Sequence, residues 1–101
     1  MLNFNLFYYK VAPDTYLGHF KMATLEYYNK IKASHKDSIV LMRCGDWYKT
    51  YSEDAKSVSF ELGITLNKEN GISTACFPAY YLDMYLPVLV RKGHRIGICD
   101  D

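Results

Sequence analysis

The segment Ser38-Ile39-Val40-Leu41-Met42-Arg43-Cys44 constrains this chain most. It is apolar through its middle, with no polar residue on alternate positions. A strand with one wet face would alternate, so this pattern predicts a central strand buried on both sides. Gly45-Asp46 interrupts it, and Trp47-Tyr48-Lys49-Thr50-Tyr51 resumes β-favouring residues. A doubly buried strand needs neighbours in a sheet and cover on both faces, and the flanking segments supply candidates for each.

Residues 2–11 alternate loosely, with Leu2, Phe4, Leu6 and Tyr8 on one side and Asn3 and Asn5 on the other, as a half-exposed strand does. Pro13-Asp14 breaks that pattern, and Asp14 could cap a following helix. From 21 to 33 the spacing turns helical: Leu25, Tyr28 and Ile31 step by three, and Tyr27 and Ile31 lie four apart. Ser52 reads as an N-cap, with Glu53 and Asp54 in the favourable first turn. Ala55, Val58, Ser59 and Leu62 form the expected buried stripe, and Gly63 ends that helix. Segments 64–67 and 72–77 read as a hairpin around Asn70-Gly71, two residues that tolerate positive φ. Leu82, Tyr85, Leu86, Leu89 and Val90 have helical spacing up to Gly93, with Pro87 inside and a kink or break expected there. A last strand covers 94–99. The order β-α-β-α-β-β-α-β predicts a single α/β domain, a mixed sheet flanked by about three helices.

The 101 residues leave room for one core. Twelve Lys and Arg against eleven Asp and Glu give a net charge of +1, which excludes a strongly basic nucleic-acid coat but permits one small DNA contact. No apolar run approaches the ~20 residues needed to span a bilayer, and the N-terminus lacks the charge and apolar core of a secretory signal. Cys44, Cys76 and Cys99 are widely spaced and read as buried thiols in a reduced, cytoplasmic setting. They form no metal-binding pattern.

No phosphate-binding Gly loop, HExxH or Gly-x-Ser-x-Gly occurs. His19, His35 and His94 lie in separate segments. The pairs Glu53-Asp54 and Asp100-Asp101 are sequence neighbours whose side chains diverge. The expectation is a chain that is not an enzyme and carries no cofactor, nucleotide included. One segment asks for more than a structural role. After Gly45-Asp46, strand alternation presents Trp47 and Lys49 on one face and Tyr48 on the other. A strand Trp is commonly a core residue. An exposed one beside a cation is suited to stacking on a base and meeting a phosphate.

These residues also carry a family resemblance. Residues 27–101 resemble the N-terminal mismatch-recognition domain of MutS, the bacterial DNA mismatch-repair ATPase. The resemblance runs through Arg43-Cys44-Gly45-Asp46-Trp47-Tyr48, Asp54-Ala55-Lys56, Leu62-Gly63-Ile64-Thr65-Leu66, Ala75-Cys76-Phe77-Pro78 and the closing segment from Gly93 to Cys99. Residues 1–26 form an unmatched N-terminal extension. The resemblance implies the fold of that domain and binding to mispaired or distorted DNA. In the family a Phe enters the minor groove and stacks on the mispaired base, and a Glu two residues on hydrogen-bonds to that base. Trp47 and Lys49 stand at those positions, so the wedge is kept and enlarged while the carboxylate becomes an ammonium. Lys49 is thereby expected to favour phosphates generally over base reading. Arg43 and Lys68 are the further DNA-contacting candidates. Pro78-Ala79-Tyr80 replaces the family's Pro-Tyr-His, and the hairpin tip is short. The family's connector, core, clamp and ATPase domains have no counterpart before Asp101. With its own Met and N-terminal strand, the chain is expected to be a naturally short, stand-alone protein that binds duplex weakly. The alternative is a protein-interaction module on the same fold, with a repair or mobile-element protein as partner. The Tyr-rich N-terminal strand also leaves a homodimer open through edge pairing.

Overall fold

The apolar run lies at the centre of the sheet. A computed structural model of the chain describes residues 6–10, 16–17, 20–21 and 24–100, with side-chain environments from residue 24 onward. Its elements are β1 (Leu6–Lys10), β2 (Tyr16–Leu17), β3 (Phe20–Lys21), α1 (Thr24–Ser34), β4 (Ser38–Cys44), β5 (Trp47–Tyr51), α2 (Ser52–Leu62), β6 (Asn67–Glu69), β7 (Ile72–Pro78), a 3-10 turn (Ala79–Tyr81), α3 (Leu82–Arg91) and β8 (Arg95–Asp100). Six strands form one sheet in the order β1-β8-β4-β5-β7-β6, while β2 and β3 pair separately. β8 is parallel to both β1 and β4, and β4, β5, β7 and β6 follow one another antiparallel. This is the mixed-sheet domain with three helices that the residue pattern predicts.

Strand alternation sorts the core into two layers. Ile39, Leu41, Tyr48, Ala75, Phe77, Ile96 and Ile98 face α2 and α3, where Ala55, Val58 and Leu89 close the packing. Val40, Met42, Tyr51 and Cys99 face α1, which contributes Tyr27, Tyr28 and Ile31. Val40 and Leu41, adjacent in β4, are both fully buried because each face has its own helical cover.

Several local expectations are corrected. The first helix begins at Thr24, since Lys21 belongs to the short β3 strand. The expected first strand is described only over Leu6–Lys10, and Asp14 lies outside the described residues. Ser52 is no N-cap: extended Tyr51 precedes the helix, and Ser52 opens it at φ 57° with no side-chain capping bond. The hairpin is real but its first strand lies nearer the turn, with Asn67, Lys68 and Glu69 opposite Thr74, Ser73 and Ile72. Asn70 and Gly71, at φ 53° and 80°, form the two-residue turn whose twist suits a hairpin. Pro87 lies inside α3 without breaking it. Cys99 is buried, with its thiol pushed up to about 12 chiefly by desolvation, whereas Cys44 and Cys76 are only half-buried.

The buried phenols have a pH consequence. Burial is the main cause that raises Tyr28, Tyr48 and Tyr51 above the ordinary phenol value, with hydrogen bonds to Asp54 and Asp100 adding to it for Tyr28 and Tyr48. In the unfolded chain these tyrosines ionise near about pH 10. The folded state still holds their protons there, so above that pH the unfolded state binds fewer protons and stability falls. Their contribution is complete below about pH 10 and is lost as pH rises through the folded values. The melting temperature is expected to be lower at about pH 11 than at about pH 9; equal values would contradict this.

Candidate nucleic-acid interface

β4 and β5 are joined by the two-residue turn Gly45-Asp46, with Gly45 at φ 61°. A turn this tight needs positive φ at its first central residue, which glycine adopts without a Cβ penalty. It fixes the register Cys44↔Trp47, Arg43↔Tyr48 and Met42↔Lys49. On its other side Trp47 pairs with Pro78, and the Ala79 N–H donates to the Asp46 carbonyl at 2.7 Å. Trp47 therefore stands at one end of the sheet, its backbone held on both sides and its side chain 48% exposed. The Pro78-Ala79 segment brings Tyr80, 77% exposed, to the same end, where its ring stacks edge-on against Tyr81 at 4.7 Å. Sequence reasoning treated Tyr80 only as a departure from the family. Its position beside the 45–47 turn follows from the β5–β7 register.

Lys49 shares a face with Trp47, as strand alternation predicts, but its ammonium is engaged. Nζ lies 2.9 Å from both carboxylate oxygens of Glu69, on β6, and 5.8 Å from the Tyr51 ring centroid. The Glu69 hydrogen bond is the main cause holding the Lys49 pKa above its ordinary value. The expectation of a free cation next to Trp47 is thus modified. The charge is neutralised in place and drawn along the face toward Tyr51.

Arg43 lies directly opposite Tyr48, which puts it on the other face of the sheet from Trp47. Its Nε donates to the Gly45 carbonyl at 2.6 Å, its guanidinium sits 5.5 Å from the Tyr48 ring centroid, and Nη1 is 3.9 Å from Asp100. Arg43 braces the turn that carries Trp47. Lys68 is exposed on β6 opposite Ser73, again on the face away from Trp47. Five residue steps along β7 separate Ser73 from Pro78, roughly 17 Å along the strand. Of the four residues selected from sequence, Trp47, Lys49 and Arg43 gather near one hairpin, and Lys68 stands apart.

The anchor that sequence reasoning missed is Asp54. It is buried, and its Oδ2 accepts from the Tyr28 hydroxyl at 2.6 Å and from the Val40 N–H at 3.1 Å. Its Oδ1 accepts from Lys32 Nζ at 2.9 Å, and Lys32 also donates to the Ser38 carbonyl. Pairing of β4 with β5 stops at Met42↔Lys49 because β5 turns away into α2. Asp54 and Lys32 take over the β4 backbone groups that β5 leaves behind. The Asp-Ala-Lys segment singled out above was the only signal, and it gave no partner.

His94 Nε2 lies 2.8 Å from Glu61, between the end of α3 and α2. Among the described residues no three His, Cys, Asp or Glu side chains converge to hold a metal ion. No helix among them is long and apolar enough to cross a membrane.

The family model of MutS domain I matches residues 22–101. The chain belongs to the MutS domain I family. Proteins named DNA mismatch repair protein MutS are similar to it. That of Phocaeicola vulgatus is 55% identical over 70% of this chain and 9% of its own length. That of Bacteroides thetaiotaomicron is 53% identical over 69% of this chain and 9% of its own. That of Cytophaga hutchinsonii is 48% identical over 75% and 10%. The chain spans about a tenth of the length of the curated relatives it matches. The family match takes in every residue of the Trp47 hairpin, the Asp54 anchor and the β6–β7 hairpin.

Proposed function

We propose that this domain binds duplex DNA at mispaired or distorted sites without catalysing a reaction. Trp47 is the wedge; Lys49 is the cation on its face, held by Glu69, and Arg43 braces its turn from the other face of the sheet. The half-exposed Trp47, on a turn held from both sides, carries the reading. An aromatic wedge must be exposed to reach a base step, and it must be rigidly based to unstack one. Unstacking costs a few kcal/mol and least where pairing is already broken, so such a wedge discriminates by deformability. Membership in the MutS domain I family and the names of the relatives support the ligand class. The paired state of Lys49 and the net charge of +1 support weak overall affinity, within or above the ~10⁻⁴–10⁻⁶ M of non-specific binders at physiological salt.

A titration of fluorescently labelled duplexes, one matched and one carrying a single mismatch, at two salt concentrations tests the reading. Tighter binding of the mismatched duplex is expected at both. Absence of binding to either duplex at low salt would overturn it in favour of a protein-interaction module.

A further inference from the structure

We propose that Glu69 determines specificity at this surface by withholding the Lys49 ammonium from the phosphates of regular duplex. The inference rests on the DNA-binding reading above. Its basis is a pair that spans three strands. Lys49 is on β5, Glu69 is on β6, and β7 runs between them, with Cys76 opposite Lys49 and Ile72 opposite Glu69. Strand alternation puts all four on the face that carries Trp47. The carboxylate therefore reaches Lys49 across the sheet, with both oxygens at 2.9 Å from Nζ.

The geometry sets what a phosphate near Trp47 would find. Tyr51 lies beyond Lys49 from Trp47 along β5, and the ammonium is held over its ring. The Lys49 side chain is 25% exposed and that of Glu69 51%, so the carboxylate is the more accessible partner. A backbone phosphate that captures Nζ must displace this carboxylate, exchanging one anion for another. The displaced Glu69 would then stand unpaired beside a polyanion. Regular duplex, which offers phosphates and intact stacking, gains little from Lys49 on these terms. Distorted duplex gains from Trp47 stacking, a contact that does not depend on charge. The pair thus removes the sequence-independent part of binding and leaves the deformability-dependent part.

Glu69→Gln tests this on the full chain. Glutamine keeps the length and removes the charge, and the position is half-exposed at the sheet edge, so the melting temperature should be unchanged. Labelled matched and singly mismatched duplexes are titrated at 50 and 200 mM salt. The variant is expected to bind matched duplex at least about threefold more tightly at 50 mM, and its log K against log salt should steepen by about 0.9, the slope of one added phosphate contact. The mismatched-to-matched ratio should fall. Glu53→Gln is the control, since Glu53 is exposed on α2 and paired with Lys56. An equal gain in that control would reduce the effect to net charge and overturn the proposal. Selective mismatch binding by wild type with no change in Glu69→Gln would overturn this inference alone. No binding by either protein would overturn the DNA reading and this inference with it.

Discussion

Replacing Asp54 with alanine is expected to destabilise the domain by roughly 3–5 kcal/mol, the range for removing one partner of a buried charged pair. The cost has identifiable parts. The Val40 N–H loses the acceptor that stands in for the missing strand partner at that edge of β4. The Tyr28 hydroxyl keeps only the Tyr51 carbonyl, at 3.1 Å. The Lys32 ammonium keeps the Ser38 carbonyl but loses its counter-charge. Each buried polar group left without a partner costs about 1–3 kcal/mol. Against a total stability of about 5–15 kcal/mol for a domain of this size, the loss is a large share, and it brings a domain at the low end of that range close to unfolding. At about 4–8 °C per kcal/mol, the melting temperature should drop by roughly 12–40 °C. Asp54→Asn retains an acceptor for Val40 and should cost about half as much. Lys32→Met leaves the buried Asp54 carboxylate without its counter-charge but with its Tyr28 and Val40 bonds, and should cost less than Asp54→Ala. Circular dichroism melts of the three variants check the order. A loss under about 1 kcal/mol for Asp54→Ala would show that Asp54 is not the anchor its bonds imply.

Much of the fold could be read because local signals agreed with one another. The unbroken apolar run of β4 requires cover on both faces, and α1 on one side with α2 and α3 on the other provide it. Asn70-Gly71 marked a turn because two successive positive φ angles are needed there, and Gly63 marked the end of α2 for the same physical reason. Periodicity located α3 even with Pro87 inside it, since its apolar stripe outweighs one missing backbone bond. The β6 strand was misplaced because 64–67 has the stronger β composition, yet the two-residue turn sets the pairing and moves it to the polar 67–69.

The candidate site divides along the same line. That Trp47 and Lys49 share a face is strand arithmetic. Arg43 could have been assigned to the opposite face once the Gly45-Asp46 turn had set the register. The partners could not be found this way. Glu69 reaches Lys49 across an intervening strand, and Asp54 reaches β4 because β5 bends away from it. Both depend on sheet order, which no local pattern encodes. Asp54 was read as a charge favoured at a helix start, where carboxylates are common, and that generic role concealed a specific one.

Trp47→Ala is expected to weaken binding to mismatched duplex by about 1–3 kcal/mol, or roughly 5–150-fold in Kd, the value of one base–aromatic stack. The side chain is about half-exposed and contributes no part of either buried layer, so the variant should fold and melt nearly as wild type does. Matched duplex should respond less, because an intact step resists insertion and the wedge contributes little there. Trp47→Phe keeps a stacking face on the same turn and should retain most of the affinity. Phe60→Ala serves as the control. Phe60 is 85% exposed, but it lies on α2, which covers the sheet face opposite the one that carries Trp47, and its removal should leave DNA binding unchanged. Fluorescence anisotropy with both duplexes separates these cases. If Trp47→Ala binds mismatched duplex as tightly as wild type, or if Phe60→Ala weakens it equally, the wedge is not Trp47, and the exposed Tyr80 at the same end of the sheet becomes the residue to replace next.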